Sequence, residues 1–147
     1  LPLPSYLVHR LTAPVAVSFV LTLIILLLAD LAPADGARAL VSVAASAAAI
    51  APLFALALAG IAGNKVEGLV LVKASNVFSV APVIAYFLPQ EWQWPFGLAP
   101  TFWPAKAYWS AIAGDALYLV YATTGIVYSA LVGVLLLRRL EMTLHGQ

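Results

Sequence analysis

Four long apolar stretches, Leu11–Ala29, Ala39–Gly63, Ala74–Gln90 and Ala116–Leu137, contain no Asp, Glu, Lys or Arg. About 20 such residues in a helix cross the roughly 30 Å hydrocarbon layer of a bilayer. The water-soluble core of a 147-residue chain has no room for four of them. The composition agrees, with 64% hydrophobic and 9% charged residues, where an ordinary globular domain carries about 25% charged. Lipid is therefore the solvent for most of the chain. Backbone polar groups cannot go unpaired there, which leaves helices or a closed barrel. Barrel strands alternate over roughly 10 residues, and these runs are longer and do not alternate. The expected fold is an all-α integral membrane protein with four transmembrane helices, at about 11–30, 39–63, 69–88 and 116–137, in a single domain 1–147.

Charge orients the helices, because basic residues concentrate on the cytoplasmic side. With both termini cytoplasmic, Arg10, Lys65, Lys73, Arg138 and Arg139 lie inside, five of the seven basic residues, and only Arg38 and Lys106 lie outside. Asp30, Asp35, Glu91 and Asp115 then fall on the outer side. Lys73 comes early in the third span, from which its stem reaches the headgroups by snorkelling. The links become an outer loop (Leu31–Arg38), an inner turn (Asn64–Gly68) and a long outer segment (Pro89–Asp115). That segment, 89–115, precedes the last helix and holds all four tryptophans, Trp92, Trp94, Trp103 and Trp109. It also carries Pro89, Pro95, Pro100 and Pro104. Trp favours the headgroup level, and repeated Pro prevents one continuous helix. An interfacial aromatic belt and a re-entrant element share this composition, and both readings stand.

Small residues let helices approach closely in lipid. Gly125, Ser129 and Gly133, each four apart, define a packing face on the last span. Ala47, Ala51, Ala55, Ala59 and Gly63 repeat at the same spacing on the second, where abundant Ala makes such a stripe less informative. Pro14, Pro52 and Pro82 interrupt backbone bonding within spans. Bends there fit the hinges of a transport cycle and equally fit static kinks.

Chemistry is sparse. No cysteine is present, which removes disulfides and thiolate metal sites. His9 and His145 lie at opposite ends of the chain, and neither has a carboxylate at ligand spacing. No metal, cofactor or catalytic group is expected. Asp35-Gly36-Ala37-Arg38 shares letters with the phosphatidyltransferase signature but lacks its spacers and further acids. A net charge of +1 argues against nucleic acid as a partner. Proton-coupled carriers place a carboxylate within the membrane, whereas Asp30, Glu67 and Asp115 sit only at span ends. No phosphate-binding G-x-x-x-x-G-K-[ST] occurs. The first residues, LPLPSYLVHR, do not read as a signal peptide. The sequence reads as the C-terminal part of a longer protein, with a trimmed or processed form as the alternative.

Four segments carry a resemblance: SYLVHRLTAPVAVSFVLTLIILLLADLAP, GNKVEGLVLVKASNVFSVAPVIAYFLP, APTFWPAKAYW and YLVYATTGIVYSALVGVLLLRRL. Together the chain resembles the C-terminal four spans of an ABC-transporter permease of the type-2 exporter class, in particular the bacterial fluoroquinolone-export permeases. That resemblance implies a six-span permease in the cell membrane, paired as a homo- or heterodimer and docked on a separate ABC ATPase chain. It implies that ATP binding closes the ATPases and opens the permease outward, and that drug-like or amphipathic cargo passes between two copies. By the same resemblance, Tyr6, His9 and Arg10 trail the element that touches the ATPase. The turn with Asn64, Lys65, Glu67 and Lys73 is a second cytoplasmic link that faces it. The alternatives are a non-transporting membrane scaffold with the same spans, and a secondary carrier.

Overall fold

The computed structural model describes residues 3–33, 36–61 and 64–145, and among them it is helical without strands. Asp35 and Gly63 lie outside the described residues. Seven α-helices follow in order: α1 (Leu3–Leu28), α2 (Ala37–Ala48), α3 (Ala51–Ile61), α4 (Lys65–Tyr86), α5 (Gln90–Gln93), α6 (Phe102–Ile112) and α7 (Tyr118–His145). A 3-10 turn, Trp94–Leu98, links α5 to α6. Four stretches are long and apolar enough to cross a membrane: Leu11–Leu28, Ala37–Gly60, Lys65–Tyr86 and Tyr118–Met142. They run antiparallel in sequence between two ends of the bundle. One end, the aromatic end, carries the turns after α1 and α4; the other, the basic end, carries Lys65, Arg138 and Arg139.

The second span is the hub. It is 44% buried, against 0% for the first and 6% for the third. Residues of α1 pack on α2 and α3, α7 runs along both, and α4 packs on α3. The outer faces of α1 and α4 stay apolar and exposed, with Val17, Ile25, Val70 and Val77 among them. Such faces suit lipid, which supplies the contacts that protein does not.

Pro52 divides the hub. It has no N–H to offer the carbonyl four residues back. Around it the ladder tightens: Ile50 N–H donates to the Ala47 carbonyl at 3.2 Å, and Leu53 N–H to the Ile50 carbonyl at 2.9 Å. A new helix starts at Ala51, placing Pro52 in its first turn, where no donor is required. The single apolar run 39–63 is thus two helices in one span. By contrast, α1 and α4 continue through Pro14 and Pro82.

Reversals at the aromatic end are built from left-handed caps. Asp30 takes φ 53° after α1 and Gly114 takes φ 71° after α6. Each lets the next N–H reach back five residues, Leu31 to the Leu26 carbonyl and Asp115 to the Ser110 carbonyl, both at 2.9 Å. The Asp115 carboxylate then accepts the Leu117 N–H at 3.0 Å and helps launch α7.

The tightest helix crossing is at Gly125. A Cβ there would lie 2.4 Å from Ser46 Oγ on α2 and 2.8 Å from Trp103 Cβ on α6. At Gly133 an added Cβ would meet only Leu53 Cδ2, at an ordinary 3.5 Å. Gly125→Ala is therefore expected to destabilise the bundle by about 1–3 kcal/mol. Gly133→Ala should change stability by less than about 0.5 kcal/mol. Unfolding in mixed detergent micelles measures both, and equal losses would contradict the crossing described.

Candidate functional site

The segment between the third and fourth spans folds back into the bundle. Its depth follows from its partners. Tyr128 Oη donates to the Leu98 carbonyl at 2.6 Å, and Tyr128 lies ten residues into α7, about 15 Å along a helix. Thr101 Oγ donates to the Phe78 carbonyl, eight residues from the end of α4, about 12 Å. From this depth α6 climbs back: Ala107 packs with Leu26, Val43 and Ala122, and Ala111 packs with Ala39 and Tyr118 at the aromatic end. The chain therefore descends through α5 and the 3-10 turn, reverses at residues 99–101 and rises through α6. It is a re-entrant hairpin rather than a surface belt.

Proline makes this path possible. Pro95 enters the 3-10 turn where its fixed φ is suited. Pro104 falls in the first turn of α6, where a missing N–H breaks nothing. The four tryptophans divide accordingly. Trp92 and Trp94 are 66% and 50% exposed, as interfacial anchors would be. Trp103 and Trp109 point into protein. Trp103 Nε1 donates to the Gly97 carbonyl at 2.9 Å, and its ring lies 6.4 Å from that of Tyr128. The Trp109 ring meets Tyr86 at 5.3 Å.

A polar clamp holds the descending arm. Gln93 is only 8% exposed. Its amide donates to the Leu88 carbonyl at 2.9 Å and accepts from Lys106 Nζ at 2.5 Å. Lys106 also sits 5.7 Å above the Tyr121 ring. Tyr108 Oη donates to the Leu31 carbonyl at 3.1 Å, tying α6 to the loop after α1.

Beneath the hairpin lies a cavity of about 530 Å³. Helices α4 and α7 do not pack along each other but both pack on α3. The gap between them is the cavity. Its back is Leu53, Phe54 and Ala57 of α3; its sides include Leu71, Ser75 and Phe78 of α4 and Tyr128, Val132 and Leu136 of α7. Leu98 and Pro100, from the hairpin tip, form the roof. No carboxylate, amine, guanidinium or imidazole lines it. Its two hydroxyls are spent on backbone, Ser75 on the Val72 carbonyl and Tyr128 on Leu98. The volume suits a drug-sized ligand, and the walls suit an apolar or aromatic one.

The residues singled out in the sequence fall into separate places. Gly125 meets Ser46 and Trp103, and Gly133 faces Leu53. Ser129 is buried on the same helix, and neither its hydroxyl nor that of Ser46 has a partner among the described residues. At the basic end, Asn64 caps α4 by accepting the Glu67 N–H at 2.9 Å. Asn64 Nδ2 donates back to the Glu67 carboxylate at 3.1 Å. Asn64 and Glu67 are thus engaged with each other, while Lys65 and Lys73 are exposed. His9 is exposed on α1; the side chains of Tyr6, Arg10 and His145 lie outside the described ones. Gln93, Thr101 and Tyr128 were not singled out in the sequence. The one signal for Thr101 was Pro82, four residues after Phe78, which leaves a carbonyl in need of a donor.

Fold and site together define a multi-pass membrane protein with a re-entrant hairpin over an intramembrane cavity. The family model described as fluoroquinolones export permease protein Rv2686c-like matches residues 1–137, and the chain belongs to that family. Two relatives are the fluoroquinolones export permease proteins MT2760 and Rv2686c, from the CDC 1551 and H37Rv strains of Mycobacterium tuberculosis. Each is 32% identical over 85 residues, 57% of this chain and 33% of the relative. The matched segment thus spans a third of the length of those relatives. No solved structure matches. The family is the one the quoted segments implied.

Replacing Gln93 by Leu removes both clamp bonds and leaves Lys106 with the Tyr121 ring. The expected cost is about 1–3 kcal/mol, because the Leu88 carbonyl and the Lys106 amine lose their protein partner together. The same micelle unfolding assay reads it; an unchanged stability would mean that water replaces Gln93 at no cost.

Proposed function

We propose that this chain is the membrane-spanning part of an ATP-driven exporter that moves drug-like or amphipathic molecules out of the cell. The observation that carries this reading is the cavity between α4 and α7. It is large, apolar and lined by no carboxylate, amine, guanidinium or imidazole. Such a site accepts apolar cargo, but a proton gradient has no carboxylate to act on there. Uphill transport then draws its energy from another chain, a separate ABC ATPase. The names of the relatives favour fluoroquinolones as cargo, and a homo- or heterodimer of permease chains completes the assembly. The chain itself has no enzymatic role in this reading.

Both termini of the segment face the cytoplasm. The chain has no cysteine, so single cysteines report topology directly. Glu91 is exposed at the aromatic end, and Gln93 beside it is buried, which makes Glu91→Cys the better outer probe. It should react with an impermeant maleimide in intact cells. Gly146→Cys, outside the described residues, should react only after permeabilisation. The opposite pattern would invert the orientation.

Coupling to the ATPase is assigned to the basic end, where Lys65 is an exposed basic residue of α4 and Lys73, eight residues further along the helix, reaches by its flexible stem. Reversing both to Glu should lower drug-stimulated ATP hydrolysis in vesicles holding the full-length protein and its ATPase, with insertion unchanged. The loss should be severalfold, since charge reversal converts attraction to repulsion. Transport that follows an imposed proton gradient with no nucleotide present would replace this reading with that of a secondary carrier.

A further inference from the structure

Pro82 lies four residues after Phe78 in α4. In a helix the N–H of residue i+4 satisfies the carbonyl of residue i. Proline has no N–H, and its ring crowds that same carbonyl. The Phe78 carbonyl therefore loses its helical donor at the depth where lipid offers no substitute. Thr101 Oγ, at the reversal of the re-entrant hairpin, donates to this carbonyl. On the opposite side of the cavity the tip is held a second time, by Tyr128 Oη on the Leu98 carbonyl at 2.6 Å. Leu98 and Pro100, beside these two bonds, are the residues that roof the cavity.

We propose that residues 97–101 are the gate between the cavity and the aqueous phase at the aromatic end, and that Thr101 latches it onto the carbonyl that Pro82 leaves free. The gate bridges α4 and α7, the two helices that otherwise stand apart. Separating them at the hairpin tip must break one bond or both, and shift the packing of α6 on each. In hydrocarbon each broken bond strands a hydroxyl and a carbonyl. Water arriving from the aromatic end supplies the missing partners, so the latch yields toward that side and stays shut otherwise. Pro82 thus sets the gate by withholding a donor from its own helix. The place of the gate in a transport cycle rests on the exporter reading; its existence does not.

The test uses Ser75→Cys, a cavity position, in the full-length protein in sealed vesicles. An impermeant maleimide is applied from the aromatic side, and the labelling rate is read without nucleotide. Thr101→Val should raise the rate by roughly fivefold, the weight of one hydrogen bond. Thr101→Ser, which keeps the hydroxyl, should label at the parental rate. Pro82→Ala restores the helical donor to Phe78 and so competes with Thr101. It should also raise the rate, although removing a proline from a helix interior ordinarily strengthens the helix. Combining Thr101→Val with Pro82→Ala should add little to either alone, because both break one bond. A merely structural role for these residues makes the opposite forecast for Pro82→Ala, namely slower labelling. Slower or unchanged labelling in Pro82→Ala, or an unchanged rate in Thr101→Val, would overturn the latch. Labelling needs no transport. Absent ATP-driven export in the same vesicles would therefore defeat the exporter reading while leaving the latch as measured.

Discussion

In hydrocarbon, every backbone carbonyl and N–H must find its partner within the protein. The four spans meet this condition by being helices. The re-entrant hairpin cannot, since it reverses direction 12–15 Å or so below the helix ends. It exists because side chains close the gaps. Thr101 serves Phe78, Tyr128 serves Leu98, Trp103 serves Gly97 and Gln93 serves Leu88. Irregular backbone at this depth is tolerated only where protein covers it or a cavity adjoins it. Here protein lies on the α2 and α7 side and the cavity lies below.

Close packing makes room for this arrangement. At Gly125 the α7 backbone, Ser46 and Trp103 converge so tightly that a methyl group has no space. The hairpin can lean on α2 and α7 because the crossing residues are small. That crowding contrasts with the open gap between α4 and α7, which α3, α6 and the hairpin tip bridge. One side of the bundle is closely packed, and the other is held at the hairpin tip by two hydrogen bonds. A transporter needs both, a rigid frame and a surface that parts.

Membership of the export-permease family fits this division. In the exporter proposed above, the apolar cavity takes cargo by contact rather than by charge, and Lys65 at the start of α4 lies at the opposite end from the hairpin tip. The cavity lies within one chain, whereas the resemblance placed the cargo path between two copies. The two are compatible if the intrachain cavity is a station beside that path. In that proposed exporter, energy applied at the basic end travels along α4, which is capped by Asn64 and runs unbroken from Lys65 past Phe78.

The sequence by itself determined that the chain spans a membrane four times. Uncharged runs of that length have only one solvent, and backbone satisfaction then permits only helices. It also determined where the chain must be irregular, since four prolines and four tryptophans crowd 89–115. Glycine and serine at Gly125, Ser129 and Gly133 marked a helix face of the kind that lies at a crossing. What it left open was depth. A headgroup belt and a re-entrant hairpin need the same residues, and only contacts with Phe78 and Tyr128 distinguish them. Composition likewise left the break at Ala49–Ile50 open, because a membrane proline is accommodated either within a helix, as at Pro82, or by ending one, as at Pro52. Tertiary packing chose between them. The hub breaks between α2 and α3, each of which packs on both α1 and α7, while α4 runs on with a neighbour's hydroxyl in place of the donor it lacks.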